Sequence, residues 1–357
     1  MKILLLFLVV VVCCFSCEKK RGFQKRDISK VKIEHIVEDS LLNVRAIELI
    51  EETGVYVFLT SKGGMGVIST DLGNEFEVPF KIYQLKIGKD SLFPNFRALA
   101  VNEKRGLGLA IGSPALLYNL DADEEKAKVL YKENHPKAFY DSMDFWNDKE
   151  GIAIGDSTNG CLSVIITRDG GNSWTKLTCD ELPKGLKDEG AFAASDTNIA
   201  IVGDKTWVAT TAGRVYYSPD KGQTWEVFDT PIIKDKETEG IYSIDFYDEL
   251  SGFAIGGDYT KPDDNTANKI KTTDGGKTWQ LVAENENPGY RSCVQYIPNR
   301  NGKELVAIGF KGIDYSNNAG ESWEHLSNEG FYTIRFLNDS VAYAAGAGRI
   351  SKLTFRE

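Results

Sequence analysis

The chain is poor in the residues from which many catalytic and metal sites are built. Its 357 residues include only three His, six Cys and three Met. His35, His135 and His325 stand far apart and outside any ligand pattern, so neither a structural zinc nor a His-based active site is expected. Three of the cysteines fall within the first 17 positions. The others, Cys161, Cys179 and Cys293, show no metal spacing and no C-x-x-C. One disulfide among them stays open, but buried or semi-buried thiols spread over different repeats are the favoured reading. Positive charge is also scarce: the formal net charge is −10, which argues against nucleic acid as a partner. There is no dinucleotide fingerprint, so no cofactor is expected. Long apolar runs are missing as well, since the one at the start, Met1 to Val12, is too short to span a bilayer as a helix.

That run has the shape of a secretory signal, with Lys2 ahead of the apolar stretch. It ends in Cys13-Cys-Phe-Ser-Cys17, where a small residue precedes Cys17 as in a bacterial lipobox, although Cys14 stands at the usual Leu position. Cys17 is therefore the expected lipidated N-terminus. The alternative is a soluble secreted protein cut elsewhere. Residues 1–17 read as the signal, 18–30 as a basic tether, and 31–357 as one domain. The expected location is the cell envelope, at the periplasmic or the outer surface, held to a membrane by lipid.

What the chain does have is a repeat. Thr167-Arg-Asp-Gly-Gly-Asn-Ser-Trp174 recurs as Ser218-Pro-Asp-Lys-Gly-Gln-Thr-Trp225, as Thr272-Thr-Asp-Gly-Gly-Lys-Thr-Trp279, and with Asn for Asp as Ser316-Asn-Asn-Ala-Gly-Glu-Ser-Trp323. This is the Asp-box pattern. The Asp side chain can accept N–H groups of its own turn. The Gly two residues on suits a positive φ, and the Trp buries a large ring. Asp169, Asp220, Asp274 and Asn318 lie 51, 54 and 44 residues apart by subtraction, the period of a propeller blade. Weaker boxes stand at Ser69–Phe76, around Asp71, and at Asn119–Lys126, around Asp121.

A second landmark runs in register with the first. Strand openings at Val44-Arg-Ala-Ile47, Phe96-Arg-Ala-Leu99, Asp141-Ser-Met-Asp144, Phe192-Ala-Ala-Ser195, Tyr242-Ser-Ile-Asp245 and Tyr290-Arg-Ser-Cys293 precede the six boxes. A seventh unit begins at Phe331 and stops after about three strands. Val31–Val37 alternates in the strand manner and would supply the missing outer strand, because an open ring leaves exposed edges. The expectation is an all-β, seven-bladed β-propeller with Asp-box turns, closed by the N-terminal strand.

The boxes resemble the bacterial neuraminidase repeat superfamily. The phrases Phe96–Val101, Asp141–Trp146, Gly151–Asp156, Glu189–Ser195, Gly256–Tyr259, Gly289–Cys293 and Gly348–Leu353 resemble the photosystem II assembly and stability factor family and its bacterial lipoprotein relatives. That resemblance covers residues 30 to 355 and implies a binding or assembly scaffold for a protein partner. The resemblance to sialidases implies a carboxylate-binding Arg cluster and a glycoside hydrolase or glycan binder. Their Phe-Arg-Ile-Pro signature is absent, and Phe96-Arg-Ala-Leu99 only echoes it.

In a propeller the boxes lie on one face. The loops entering the inner strands, with those joining the two middle strands, lie on the other. That second face should gather Arg45, Arg97, Tyr140, Asp141, Glu189, Tyr290, Arg291 and Tyr332, joined from the middle loops by Asp156, Arg214, Asp258, Tyr259 and Arg349. Clustered guanidinium groups suit a carboxylate, phosphate or sulfate, unless they pair with Asp141, Glu189 or Asp258. The expected function is a lipid-anchored monomeric scaffold for a protein or anionic partner, not an enzyme. The alternative is a carbohydrate-binding protein or glycoside hydrolase, with tyrosines stacking on sugar rings.

Overall fold

The computed structural model describes residues 24–70, 80–84, 93–120 and 128–357. Cys17 and the signal lie outside them, as do Asp71 and Asp121 of the two weaker boxes. Among the described residues all regular structure is β, in antiparallel sheets of consecutive strands.

Five sheets have four strands each. The third unit is representative: Tyr140–Phe145, Gly151–Thr158, Cys161–Thr167 and Thr175–Lys176 pair in order. Its second strand is buried over Gly151 to Gly155 because it is sandwiched within the sheet and packs on both neighbouring units. Each innermost strand packs against the next, and that of the last unit also packs against that of the first. The core is therefore a series of clusters between adjacent sheets. One such cluster joins Ile152, Ile154 and Val164 to Val208 and Tyr216 of the following unit.

The sixth sheet has seven strands and contains both ends of the described chain. Strand Lys30–Ile50 pairs through Lys30 to Glu38 with Ala347–Arg356, and through Val44 to Ile50 with Val55–Thr60. One long strand thus serves as the outer strand of the last unit and then the inner strand of the first. The chain packs against the last units earlier than the alternation of Val31–Val37 suggests. Ile28 is buried in the cluster of the last two units, and Arg26 binds Glu304.

The four strong boxes share one hydrogen-bond pattern. In the first, the Thr167 hydroxyl donates to Asp169 Oδ1 at 2.9 Å, Gly171 N donates to Thr167 Oγ1 at 2.9 Å, and Ser173 donates to Asp169 through both N and Oγ. Asn318 does the same work, its amide donating to Ser322 Oγ at 2.9 Å while its carbonyl oxygen accepts Ser322 N. The glycine is needed twice over. Gly320 has φ +83°, and a Cβ there would stand 2.0 Å from the Phe253 ring of the preceding unit. So each turn is at once a local device and a packing contact.

Two expectations are corrected. Phe192–Ser195 opens no strand; the inner strand of that unit is Ile199–Val202. Asp196 interposes a positive φ of 58°, and its carboxylate accepts Leu99 N and Met143 N of two other units, which bends the chain out of register. Cys161 and Cys179 are not free thiols but a disulfide, with Cα atoms 5.4 Å apart. They belong to one unit rather than two, because the sheet folds the segment after Thr175–Lys176 back beside the start of Cys161–Thr167. Cys293 is free and buried.

Candidate functional site

On the face opposite the boxes, the loops entering the inner strands surround a cavity of about 400 Å³. It is lined by Arg45, Arg97, Phe192, Tyr242, Tyr290 and Tyr332, with Tyr259 and Phe310 at its rim. Five of the residues nominated from sequence thus meet: Arg45, Arg97, Tyr259, Tyr290 and Tyr332. One wall is a chain of rings. Phe192 stacks on Tyr242 with centroids 3.7 Å apart, and Tyr242 meets Tyr290 edge-on at 4.7 Å. Tyr290 continues to Phe310 at 5.5 Å. Tyr259 and Phe310 remain substantially exposed.

The other wall carries charge without compensation. Arg45 donates one hydrogen bond, from Nη1 to the Ala194 carbonyl at 3.1 Å, and lies over the Tyr332 ring. The Nε atoms of Arg45 and Arg97 are both buried and unpartnered. Among the described residues no Asp or Glu lines the cavity. Desolvation weakens the hold of both guanidinium groups on their protons; it pushes Arg97 down to about 10, with the neighbouring Arg45 charge adding to the effect. Two cations held together in an apolar bowl are costly unless an anion joins them.

The remaining nominated residues are elsewhere. Arg291, at the same place in its repeat as Arg45 and Arg97, is turned into its own sheet, where its Nε donates to Asp314 Oδ2 at 2.6 Å. The repeat shows why. Asp314 stands two residues before the box of its unit, where the first two units have Val67 and Leu117. Arg349 pairs with Glu329. Glu189 is buried in an ion pair with Arg214 and accepts a hydrogen bond from Tyr216. Tyr140 is fully buried and donates to Glu133 at 2.8 Å. Asp258 accepts Thr260 N and Oγ1 in its own turn. Asp141 is buried with neither oxygen hydrogen-bonded; burial raises it far above the usual carboxylate range, and Asp156 and Asp196 add to this. Asp156 borders a second, adjoining cavity of about 340 Å³ with Glu189 and Lys137, and burial pushes it up to about 6.

Sequence reasoning missed the next layer. A separate cavity among the inner strands is lined by Glu48, Asp144, Asp196 and Asp245, with Arg335 as the cation among them. Arg335 donates to Glu48 and to the Asp196 carbonyl. Burial pushes Asp144 up to about 7 and Asp245 up to about 6. The available signal was the acidic residue recurring three positions after the start of an inner strand, in Val44-Arg-Ala-Ile-Glu48 displaced by one, and in Asp141-Ser-Met-Asp144 and Tyr242-Ser-Ile-Asp245.

No protein-family model matches the sequence, and no curated protein matches it. Its fold does have solved counterparts. The chain superposes on YCF48 bound to a D1 peptide with a TM-score of 0.62 at 12% identity, covering 94% of this chain and 100% of that one. The WD40 repeats of RRP9 give the same values. U3-55K gives 0.62 at 12% identity, over 91% and 98% of the two chains. With the four-stranded sheets described above, these likenesses make the fold a β-propeller.

Proposed function

We propose that the protein is a lipid-anchored, seven-bladed propeller of the Asp-box type, its ring closed by the N-terminal strand, and that as a monomer it holds an anionic segment of a partner protein in the cavity. The observation that carries this reading is the pair Arg45 and Arg97, half-buried in a cavity walled by aromatic rings, with the Nε of each unpartnered and no carboxylate among the described lining residues. A peptide carboxylate would neutralise the pair, and its flanking side chains would cover the ring wall. The structural likeness to YCF48 bound to a D1 peptide is in keeping with a scaffold that takes a peptide. The lack of Asp and Glu in the lining favours binding over glycoside hydrolysis, which uses two carboxylates.

The test is affinity capture from the native envelope with the wild type and with Arg45→Gln/Arg97→Gln, followed by titration of acidic peptides from whatever is captured. Loss of a specific partner in the double variant supports the reading; capture of the same partners by both proteins refutes it. The second reading is a glycan binder, favoured by the stacked Phe192–Tyr242 wall and the exposed ring of Tyr259. Retention of an acidic sugar on a glycan array, lost in the same variant, would select it.

A further inference from the structure

The described chain begins on the face opposite the cavity. Arg300 Nη2 donates to the Gln24 carbonyl at 2.6 Å. Arg26 is clamped by Glu304 through Nε and Nη2, by Ser340 Oγ at 3.0 Å and by the Asp339 carbonyl at 2.8 Å. Its own carbonyl accepts Asn317 Nδ2. Arg300 and Glu304 lie in the turn between Cys293–Tyr296 and Leu305–Gly309, Ser340 lies in the turn after Thr333–Phe336, and Asn317 is inside a box. All of these are box-side turns. Next, Ile28 is buried, and Ser29 N bonds to the Arg356 carbonyl. The exit point is therefore fixed by ion pairs and by core packing on one face, while the cavity opens on the other.

Length decides what this means. Seven residue steps separate Cys17 from Gln24, so the intervening chain reaches at most about 25 Å. The strand of the last unit beside which the chain enters, Ala347–Arg356, runs from the box side to the cavity side over about 33 Å. A chain rooted on the box side cannot carry the cavity face down to a bilayer that holds Cys17. We propose that the box face is the membrane-facing surface, packed toward a lipid bilayer, and that the Arg45/Arg97 cavity points away from the membrane carrying the anchor. This rests on the lipid-anchor reading above. Lys19, Lys20 and Arg21 in the connecting stretch favour an anionic lipid surface. A partner must then reach the cavity from the aqueous side or from an opposing membrane, not from the plane of the anchoring leaflet.

The experiment uses the full-length lipidated protein in vesicles of phosphatidylethanolamine and phosphatidylglycerol carrying a headgroup nitroxide. A fluorophore is placed either at Lys303→Cys, exposed beside Glu304, or at Lys187→Cys, exposed beside the second cavity. The expected result is severalfold stronger quenching at position 303, with the contrast lost when a twelve-residue flexible insert follows Arg21. Vesicle flotation of the wild type that matches Cys17→Ala would remove the anchor, and the orientation with it. Flotation with equal quenching at the two positions, or stronger quenching at 187, overturns the orientation while leaving the anchor in place.

Discussion

The Arg45 guanidinium carbon lies 4.0 Å from the centroid of the Tyr332 ring. This contact joins the inner strand of the first unit to the entry loop of the last. It replaces the carboxylate that a half-buried arginine would otherwise use, leaving the charge available to a ligand.

Removing that charge should leave the fold intact. Arg45→Gln and Arg97→Gln break no ion pair among the described residues, and each removes a desolvated cation. Thermal melts should stay within a few degrees of the wild type, or rise, while affinity for an acidic ligand falls by at least about tenfold per site. A large loss of melting temperature in either variant would make these residues structural.

Arg291 should behave in the opposite way despite its matching place in the repeat. Arg291→Ala strands Asp314 in a buried setting, where its remaining partner is His325 Nδ1 at 2.9 Å. Breaking a buried pair costs about 3–5 kcal/mol, visible as a lowered denaturant midpoint. The Arg291→Ala/Asp314→Leu double variant should recover part of that loss.

The buried carboxyls of the inner strands give a pH dependence with a defined sign. Asp144 and Asp245 are held above their ordinary range, at about 7 and about 6. The folded state therefore binds their protons more tightly than the unfolded chain does. Their stabilising contribution is complete below about pH 4 and is lost as pH rises through 6 and 7. Asp144→Asn should raise stability at pH 8 by on the order of 1–2 kcal/mol, allowing for relaxation around the charge, and should change it little at pH 4. Urea melts across this range check the sign; a variant less stable than the wild type at pH 8 would contradict it.

Gly320→Ala places a Cβ against the Phe253 ring at a positive φ. The strain and the clash together should cost about 3 kcal/mol or more. At Gly203, also at positive φ but with nothing within 4 Å, the same substitution should cost only about 1 kcal/mol. Comparing the two melts separates backbone strain from the contact between units.

Replacing both Cys161 and Cys179 by Ser opens a loop of 18 residues and should lower stability by about 3 kcal/mol. Under reducing conditions the wild type should approach the variant. A wild type insensitive to reductant would mean that the two sulfurs are not joined in solution.

The repeat was legible in the sequence because each box is a local object. Thr167, Asp169, Gly171 and Ser173 bond within one turn, so their spacing alone announces them. The cavity was half legible: the repeat placed arginines at the mouths of inner strands but could not distinguish Arg45 and Arg97 from Arg291. The disulfide was not legible because Cys161 and Cys179 stand on either side of a box, and only strand pairing brings them together.

By itself, then, the sequence determined the β-rich repeat, the turn chemistry and the face on which charged residues collect, since these depend on neighbours a few positions apart. The tertiary structure decided which charges remain free. Asp314 neutralises Arg291 from across its sheet, whereas Val67 and Leu117 stand at the corresponding positions behind Arg45 and Arg97. It also decided where Glu48, Asp144, Asp196, Asp245 and Arg335 meet. Their contacts join residues about 50 to 290 positions apart, and the energy of a charge is set by what surrounds it in space, not by its place along the chain.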